Sequence, residues 1–345
     1  MSEDHEHEEG GQGGEECVLD WSGLGGWPRR DLAMGSTLTH LSCQGNGLTE
    51  LPGAALAQLT SLKVLLLAEN CLGAVPDSVG QLRHLSELSL RANRLSQFPP
   101  AVCGLAGLRV LDLSDNQLVS LPESLSQLTA LRHLSLAYNR ISALPLTFGQ
   151  LHRLSSLRAA CNELAQLPAS FARLGSLQVL DLSDNALGSL EGALGSLPHL
   201  RRLLLDRNLL RLLPESLRLC SALEHFSAAD NLLCDLPPLP PTPPPSRLRY
   251  VNVSGNQISS LPASVSQLIC LEFLNMGMSE WSEGRAGANH LTSLPQDIGL
   301  LTALRHLKLD GNLLSCLPHS IGARMLLAAY FFTGSNFLYV FFTGY

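Results

Sequence analysis

The stretch that decides the fold is LRVLDLSDNQLVSLPESLSQLTA, at residues 108–130. Leu111 and Leu113 alternate with polar neighbours, which is the pattern of a short β-strand with one buried face. Asn116 follows where the chain leaves the strand, and its amide can both donate to and accept from backbone groups buried at that turn. Pro122 then fixes φ near −65° and starts an extended return segment. The stretch therefore predicts one strand, followed by a turn and an extended segment that runs back along the opposite side of the unit.

The same unit recurs along most of the chain, so the units are expected to stack. Twelve units open at Leu38, Leu62, Leu85, Leu108, Leu131, Leu154, Leu177, Leu200, Leu223, Leu248, Leu271 and Leu304. Each unit has an asparagine at its ninth consensus position: Asn46, Asn70, Asn93, Asn116, Asn139, Asn162, Asn185, Asn208, Asn231, Asn256, Asn289 and Asn312. Stacked repeats of this kind bury one continuous core. The predicted fold is an α/β solenoid with a parallel concave sheet and an irregular or short-helical convex side.

These units resemble a known family. Runs such as residues 108–130 and LQVLDLSDNALGSLEGALGSLPH at residues 177–199 are similar to the 23-residue leucine-rich repeats of the Ras group, found in intracellular scaffolds such as Scribble and Erbin. The resemblance covers about residues 38–322. It implies a leucine-rich-repeat horseshoe and a role in binding other proteins. Because this scaffold serves many unrelated partners, it does not name one.

The repeats divide the chain into four regions. Residues 1–17 are expected to be an acidic disordered tail, and residues 18–37 a degenerate repeat that caps the first full unit. Residues 38–322 form the repeat domain, which contains a proline-rich stretch at 237–247 and an insertion at 277–288. Residues 323–345 are an atypical apolar, aromatic segment. Three interpretations of that last segment stay open: an apolar cap, a membrane anchor, or an aberrant terminus.

Charge and cysteine usage exclude several classes of function. Seven of the 30 acidic residues lie in the first sixteen positions, which leaves 23 acids against 23 Lys and Arg in the rest of the chain. No basic stripe of the kind that binds nucleic acid is expected from that balance. The cysteines are scattered singly, without metal-ligand or disulfide spacing, and the start of the chain has no apolar signal segment. We therefore expect a cytoplasmic protein with no metal or other cofactor and no nucleic-acid partner.

The outward positions of the predicted strands should form the functional face, because alternate residues of a strand point to opposite sides. The candidate partner-binding residues on this concave face are Arg109, Asp112, Arg132, His133, Arg158, Asp181, Arg201, Arg202, Tyr250 and Phe273. The charged residues, together with Asp206, would form a mixed-charge strip. Tyr250 and Phe273 would form an aromatic pair of the kind enriched at binding hot spots.

No constellation of catalytic residues accompanies the repeats, so we predict that the chain is not an enzyme. The favoured hypothesis is a non-enzymatic scaffold or adaptor in intracellular signalling that binds a small GTPase, a phosphatase subunit or a receptor tail. The alternative is the sensing or substrate-recruiting half of a truncated multidomain enzyme or immune receptor. A membrane would be a partner only if residues 325–345 are a true anchor.

Overall fold

A computed structural model of the chain describes residues 17–28, 37–195, 197–237, 239, 246–279, 289–324, 327–331 and 338–342. The predictions for the acidic tail before residue 17 and for most of the proline-rich stretch and the insertion lie outside these residues.

One sheet runs the length of the described molecule, and thirteen of its strands are parallel. These are β1 Cys17–Asp20, β2 Leu38–Ser42, β3 Val64–Leu66, β4 Glu87–Ser89, β5 Val110–Asp112, β6 His133–Ser135, β7 Ser156–Arg158, β8 Val179–Asp181, β9 Arg202–Leu204, β10 His225–Ser227, β11 Tyr250–Asn252, β12 Phe273–Asn275 and β13 His306–Lys308. Neighbours in sequence are neighbours in the sheet, and they pair in register, so equivalent residues of successive units lie side by side. The predicted parallel solenoid is confirmed.

The convex side carries single short helical turns. After α1 (Gly53–Leu56), these are 3₁₀ helices at Asp77–Gln81, Pro100–Gly104, Glu123–Gln127, Phe148–Gln150, Ala169–Arg173, Glu215–Leu219, Ala263–Gln267 and Gln296–Leu300, and the last helix is α2 (His319–Arg324). Most units have a Leu-Pro pair equivalent to Leu121 and Pro122, and its proline, in an extended conformation, directly precedes the helix in most of them. In the unit where Glu191 replaces that proline, the described residues form a turn around Gly192, whose φ is +76°, and no 3₁₀ helix.

The asparagines form a structural ladder in the core. The Nδ2 of Asn139 donates to the carbonyls of Leu136 (3.0 Å), Ala137 (3.3 Å) and, in the preceding unit, Leu113 (2.9 Å). Its Oδ1 accepts from the backbone N–H of Leu118 at 2.9 Å. The amide thus satisfies backbone groups of two units at once, as the sequence predicts.

Both ends of the parallel sheet have their own structure. At the first end, β1 pairs with β2, and Trp21 and Trp27 pack against the leucine core. At the other end, β14 (Leu327–Phe331) and β15 (Leu338–Phe342) form an antiparallel hairpin that pairs with β13 through β15. These two segments of the apolar C-terminal region are therefore strands that extend the sheet. In the described part of the chain, no helix has the length and apolarity needed to cross a membrane.

Candidate functional site

Four rings stack on the concave face at the C-terminal half of the sheet. His225, Tyr250, Phe273 and His306 occupy the same outward slot of four successive strands, β10 to β13. The ring centroids of His225 and Tyr250 are 4.0 Å apart, and those of Tyr250 and Phe273 are 4.5 Å apart, with the planes nearly parallel. Phe273 and His306 are 5.9 Å apart and tilted by 46°. We call this row the aromatic stack.

The stack follows directly from the register of the sheet. Residues directly opposite on in-register parallel strands are about 4.8 Å apart, close to the separation that stacked rings prefer. All four residues are half-buried, so each ring contacts its neighbours and still presents surface to the concave side. The predicted pair of Tyr250 and Phe273 is therefore part of a longer aromatic surface.

His225 is kept neutral within this stack. Burial, and to a smaller extent the nearby positive charge of Arg202, lower the pKa of its imidazole to about 4. A neutral ring stacks on Tyr250 without bringing a charge into a partly desolvated position.

We expect this histidine to make the fold sensitive to mild acid. An unfolded histidine takes up a proton below about pH 6.5, whereas His225 in the folded chain stays neutral until about pH 4, so the unfolded state binds more protons between these values. The contribution of His225 to stability is thus present above pH 6.5 and is lost as the pH falls through this window. Between pH 7.5 and pH 4.5, the melting temperature should fall less in His225→Phe than in the natural chain, because phenylalanine keeps a ring but cannot titrate. An equal loss in both proteins would contradict this assignment.

A polar pocket of about 200 Å³ lies beside the stack. Tyr250 and Phe273 form one wall of it. Polar groups from neighbouring units line the rest: Asp206, Arg207, Asp230, Asn252, Ser254, Asn275, Ser279 and Lys308. The pocket therefore places hydrogen-bonding groups of both charges next to the aromatic rings of Tyr250 and Phe273.

Two amide groups in this pocket have a fixed orientation. The Oδ1 of Asn252 accepts from the N–H and the hydroxyl of Ser254, at 3.2 and 2.9 Å. The Oδ1 of Asn275 accepts from the N–H of Gly277 at 3.0 Å. Since a backbone N–H needs an acceptor, the oxygen of each amide must face the turn, which turns the NH₂ group of each away from it. The two asparagines are direct neighbours across β11 and β12; Asn252 is half-buried, and Asn275 is buried.

Asp206, which the sequence predicts to be part of the mixed-charge strip, is half-buried beyond the end of its strand and lines the polar pocket. Its Oδ1 accepts from the hydroxyl of Ser227 at 2.5 Å and from the N–H of Ala229 at 2.7 Å, so it joins two units. Burial raises the pKa of this carboxyl, although both hydrogen bonds oppose the rise. Asp206 lies beyond the end of β9, at the turn, which the strand pattern alone does not reveal.

The remaining predicted residues lie on the concave face but do not converge on one point. Arg109, Arg132 and Arg201 directly precede their strands, and Arg202 is the first residue of β9, so these four exposed side chains form a row that we call the arginine edge. One further row into the sheet lie Asp112, Arg158 and Asp181. Arg158 and Asp181 are opposite each other in the register of β7 and β8, but their side chains form no ion pair. His133 is exposed on β6. The arginine edge and the aromatic stack are therefore neighbouring but separate surfaces.

The described residues offer no site for metal chemistry. No group of three His, Cys, Asp or Glu side chains in this part of the chain is arranged to hold a metal ion. The cysteines are unpaired, and burial raises the pKa of the thiols of Cys43, Cys103 and Cys220, which disfavours the reactive thiolate. What the arrangement offers is a surface for contact with another molecule.

Comparison with known proteins identifies the family. A model of the leucine-rich repeat region matches residues 100–286, and a second leucine-rich-repeat model matches residues 36–95. The chain belongs to the leucine-rich-repeat family. Among curated proteins, mouse leucine-rich repeat and calponin homology domain-containing protein 1 is 40% identical over 60 residues, which are 17% of this chain and 8% of that protein. The match therefore spans a small part of this relative's length.

Solved structures support the same fold. A leucine-rich-repeat protein of Leptospira interrogans superposes with a TM-score of 0.73 at 29% identity, over 85% of this chain and 77% of its own. An internalin of Listeria monocytogenes superposes with a TM-score of 0.65 at 22% identity, over 82% of this chain and 76% of its own, and that likeness shows the fold alone. Proteins of this family are typically non-enzymatic modules, and their repeat domains generally bind protein partners.

Proposed function

We propose that this leucine-rich-repeat protein is a non-enzymatic scaffold or adaptor of the Ras-group type. In this proposal it acts in intracellular signalling, in the cytoplasm, and holds a protein partner on its concave face. The observation that carries the proposal is the aromatic stack with the polar pocket beside it. A small GTPase, a phosphatase subunit or a receptor tail is the kind of partner that we propose.

The energetics of interfaces favour the stack as the anchor of this contact. Binding energy concentrates in aromatic and arginine side chains that become fully desolvated, and rim charges contribute little affinity. Tyr250 and Phe273 are already held in place by their neighbours, so binding would immobilise few additional side-chain rotors. The oriented amide of the half-buried Asn252 would then fix the register of a partner's polar groups.

A comparative pull-down from cytosol tests this proposal. The baits are the full chain and a concave variant carrying Arg201→Glu, Arg202→Glu and Tyr250→Ala. We expect at least one protein to bind the natural chain and to be recovered on the variant in an amount lower by roughly tenfold or more. Removing one hot-spot residue costs about 2 kcal/mol or more of binding free energy. Quantitative mass spectrometry measures the ratio, and circular dichroism checks that both baits fold.

A matched variant on other faces provides the control. Arg173→Glu and Arg218→Glu reverse two exposed charges at the ends of convex 3₁₀ helices, and Tyr138→Ala removes a ring that is 63% exposed at a turn. This control should retain the same partner as the natural chain. Equal recovery by all three baits would refute the concave face as the binding surface.

A further inference from the structure

The arginine edge carries positive charge that the surrounding residues do not neutralise. Within the described part of the chain, Arg109, Arg132 and Arg202 have no carboxylate within ion-pairing distance, and neither has Arg158. Arg201 has one contact, from its Nη1 to the Oε1 of Glu224 at 3.7 Å, which is long for an exposed pair. By contrast, Arg249 farther along the same edge is paired with Glu272 at 2.9 Å. Arg305, which precedes β13, also has no ion pair among the described residues, but it stands alone at the far end, whereas the other unpaired arginines are grouped in the middle of the solenoid.

Two acidic residues of the same surface, Asp112 and Asp181, are engaged elsewhere. The Oδ1 of Asp112 accepts from the N–H and the hydroxyl of Ser114, at 2.9 and 2.6 Å. The Oδ1 of Asp181 accepts from the N–H of Ser183 at 3.1 Å. These bonds tie both carboxylates to the turns that end their strands, on the side of the sheet away from the arginine edge. A row of exposed guanidinium groups without local partners fits an extended acidic segment, because each group offers several donors to carboxylates.

One acidic segment of suitable charge belongs to this chain. Residues 1–16 read MSEDHEHEEGGQGGEE and contain seven Asp and Glu residues with no Lys or Arg. The segment ends next to Cys17, the first residue of β1, which pairs with Leu38 at the start of β2. In a parallel sheet all strands begin at the same edge. The segment is therefore attached at the edge along which Arg109, Arg132 and Arg201 precede their own strands.

The attachment point also lies within reach. Strands β5 and β9 are four and eight positions from β1 in the sheet, or about 19 and 38 Å at about 4.8 Å per strand. Sixteen residues in an extended conformation span up to about 54 Å. The segment can therefore reach the whole arginine edge without any change in the repeats.

We propose that residues 1–16 bind the arginine edge of their own chain. Individual surface ion pairs are weak and are screened by salt, so the segment on its own would bind only loosely. Attachment raises its effective concentration to the millimolar range, which is enough to keep a weak site occupied. The contact masks the middle of the concave face, and an acidic partner that binds there must displace it.

A competition experiment with the segment itself tests this contact. The probe is a synthetic peptide of residues 1–16 with a fluorophore, titrated by anisotropy at about 50 mM salt, where surface charges are weakly screened. One titration uses the natural full chain. Another uses a full-length acid-neutral variant: Glu3→Gln, Asp4→Asn, Glu6→Gln, Glu8→Gln, Glu9→Gln, Glu15→Gln and Glu16→Gln. We expect the peptide to bind the acid-neutral variant roughly tenfold more tightly, because its own segment no longer occupies the site.

Two further variants locate the site on the acid-neutral background. Arg109→Ser, Arg132→Ser, Arg201→Ser and Arg202→Ser together should abolish peptide binding. The control replaces four exposed arginines outside the strands, Arg140, Arg173, Arg211 and Arg218, by serine and should bind like its parent. Raising the salt to about 300 mM should remove most of the affinity.

Three results would overturn the inference: equal affinity of the natural and acid-neutral chains, binding that survives loss of the arginine edge, or no binding to the acid-neutral chain up to about 1 mM peptide, the range of the effective concentration. Circular dichroism of each variant separates loss of the site from loss of the fold. None of these results bears on capture of a partner by the aromatic stack, so the proposed function can stand or fail separately.

Discussion

Replacing Asn116 by alanine is expected to lower the free energy of unfolding by about 3 to 5 kcal/mol, because it leaves buried backbone groups of two units without partners. The Nδ2 of Asn116 donates to the carbonyls of Leu90 (2.9 Å), Leu113 (3.2 Å) and Ser114 (3.1 Å). Its Oδ1 accepts from the N–H of Leu95 at 3.0 Å. Alanine can replace none of these bonds, and the site is too enclosed for water to replace all of them. Urea unfolding followed by circular dichroism measures the loss.

The neighbouring Gln117 supplies the control for this prediction. Its side chain is exposed, and its backbone N–H makes the ordinary bond to the carbonyl of Leu95, which Gln117→Ala keeps. That variant should change stability by no more than about 0.5 kcal/mol. Because each repeat is stabilised by its neighbours, backbone amide hydrogen exchange in Asn116→Ala should increase first in the units on either side of the substituted residue. If Asn116→Ala unfolds at the same urea concentration as Gln117→Ala, the ladder is not a main source of stability.

The fold was predictable from the sequence because each consensus position has a single physical task. A leucine in the strand must face the core, and an asparagine after it must bridge two units, so a repeat of these residues fixes strand positions and register together. The alignment of His225, Tyr250, Phe273 and His306 is already implied by that register. Grouping the outward residues by slot places these four rings in one row, but it does not show that the rings of His225, Tyr250 and Phe273 stack with parallel planes.

Other features depend on side-chain conformation and were not predictable in this way. Asp112 and Asp181 are the last residues of their strands, whereas Asp206 lies two residues beyond the end of β9. Its carboxyl accepts hydrogen bonds from Ser227 and Ala229 of the next unit. The polar pocket likewise combines turn residues such as Asp230 and Ser279, which are 49 positions apart and bonded at 2.6 Å. Repeat patterns describe what successive units share, and these contacts arise where units differ.

Replacing Gly149 by alanine is expected to destabilise the repeats by about 3 kcal/mol, because the added methyl group has no space and the obstacle is backbone. A Cβ at this position would lie 1.9 Å from the carbonyl oxygen of Ser170 and 2.6 Å from its carbonyl carbon. Gly149 lies in the 3₁₀ helix Phe148–Gln150, and its N–H donates to the Oγ of Ser170 at 3.2 Å, so the two convex turns are already in close contact. Neither turn can yield without disturbing the stacked rings of Phe148 and Phe171 below them.

Gly175→Ala is the matched control, since the same methyl group at that position would meet nothing within 4 Å. We expect this variant to change stability by no more than about 0.5 kcal/mol, or to raise it slightly by restricting the unfolded chain. Differential scanning fluorimetry and urea unfolding of the two variants give the comparison. Similar stabilities of Gly149→Ala and Gly175→Ala would mean that the convex turns separate easily. The contact between units would then depend on the concave sheet and the asparagine ladder alone. A large difference would show that packing on the convex side also fixes the spacing of the units, and with it the spacing of the rings on the opposite face.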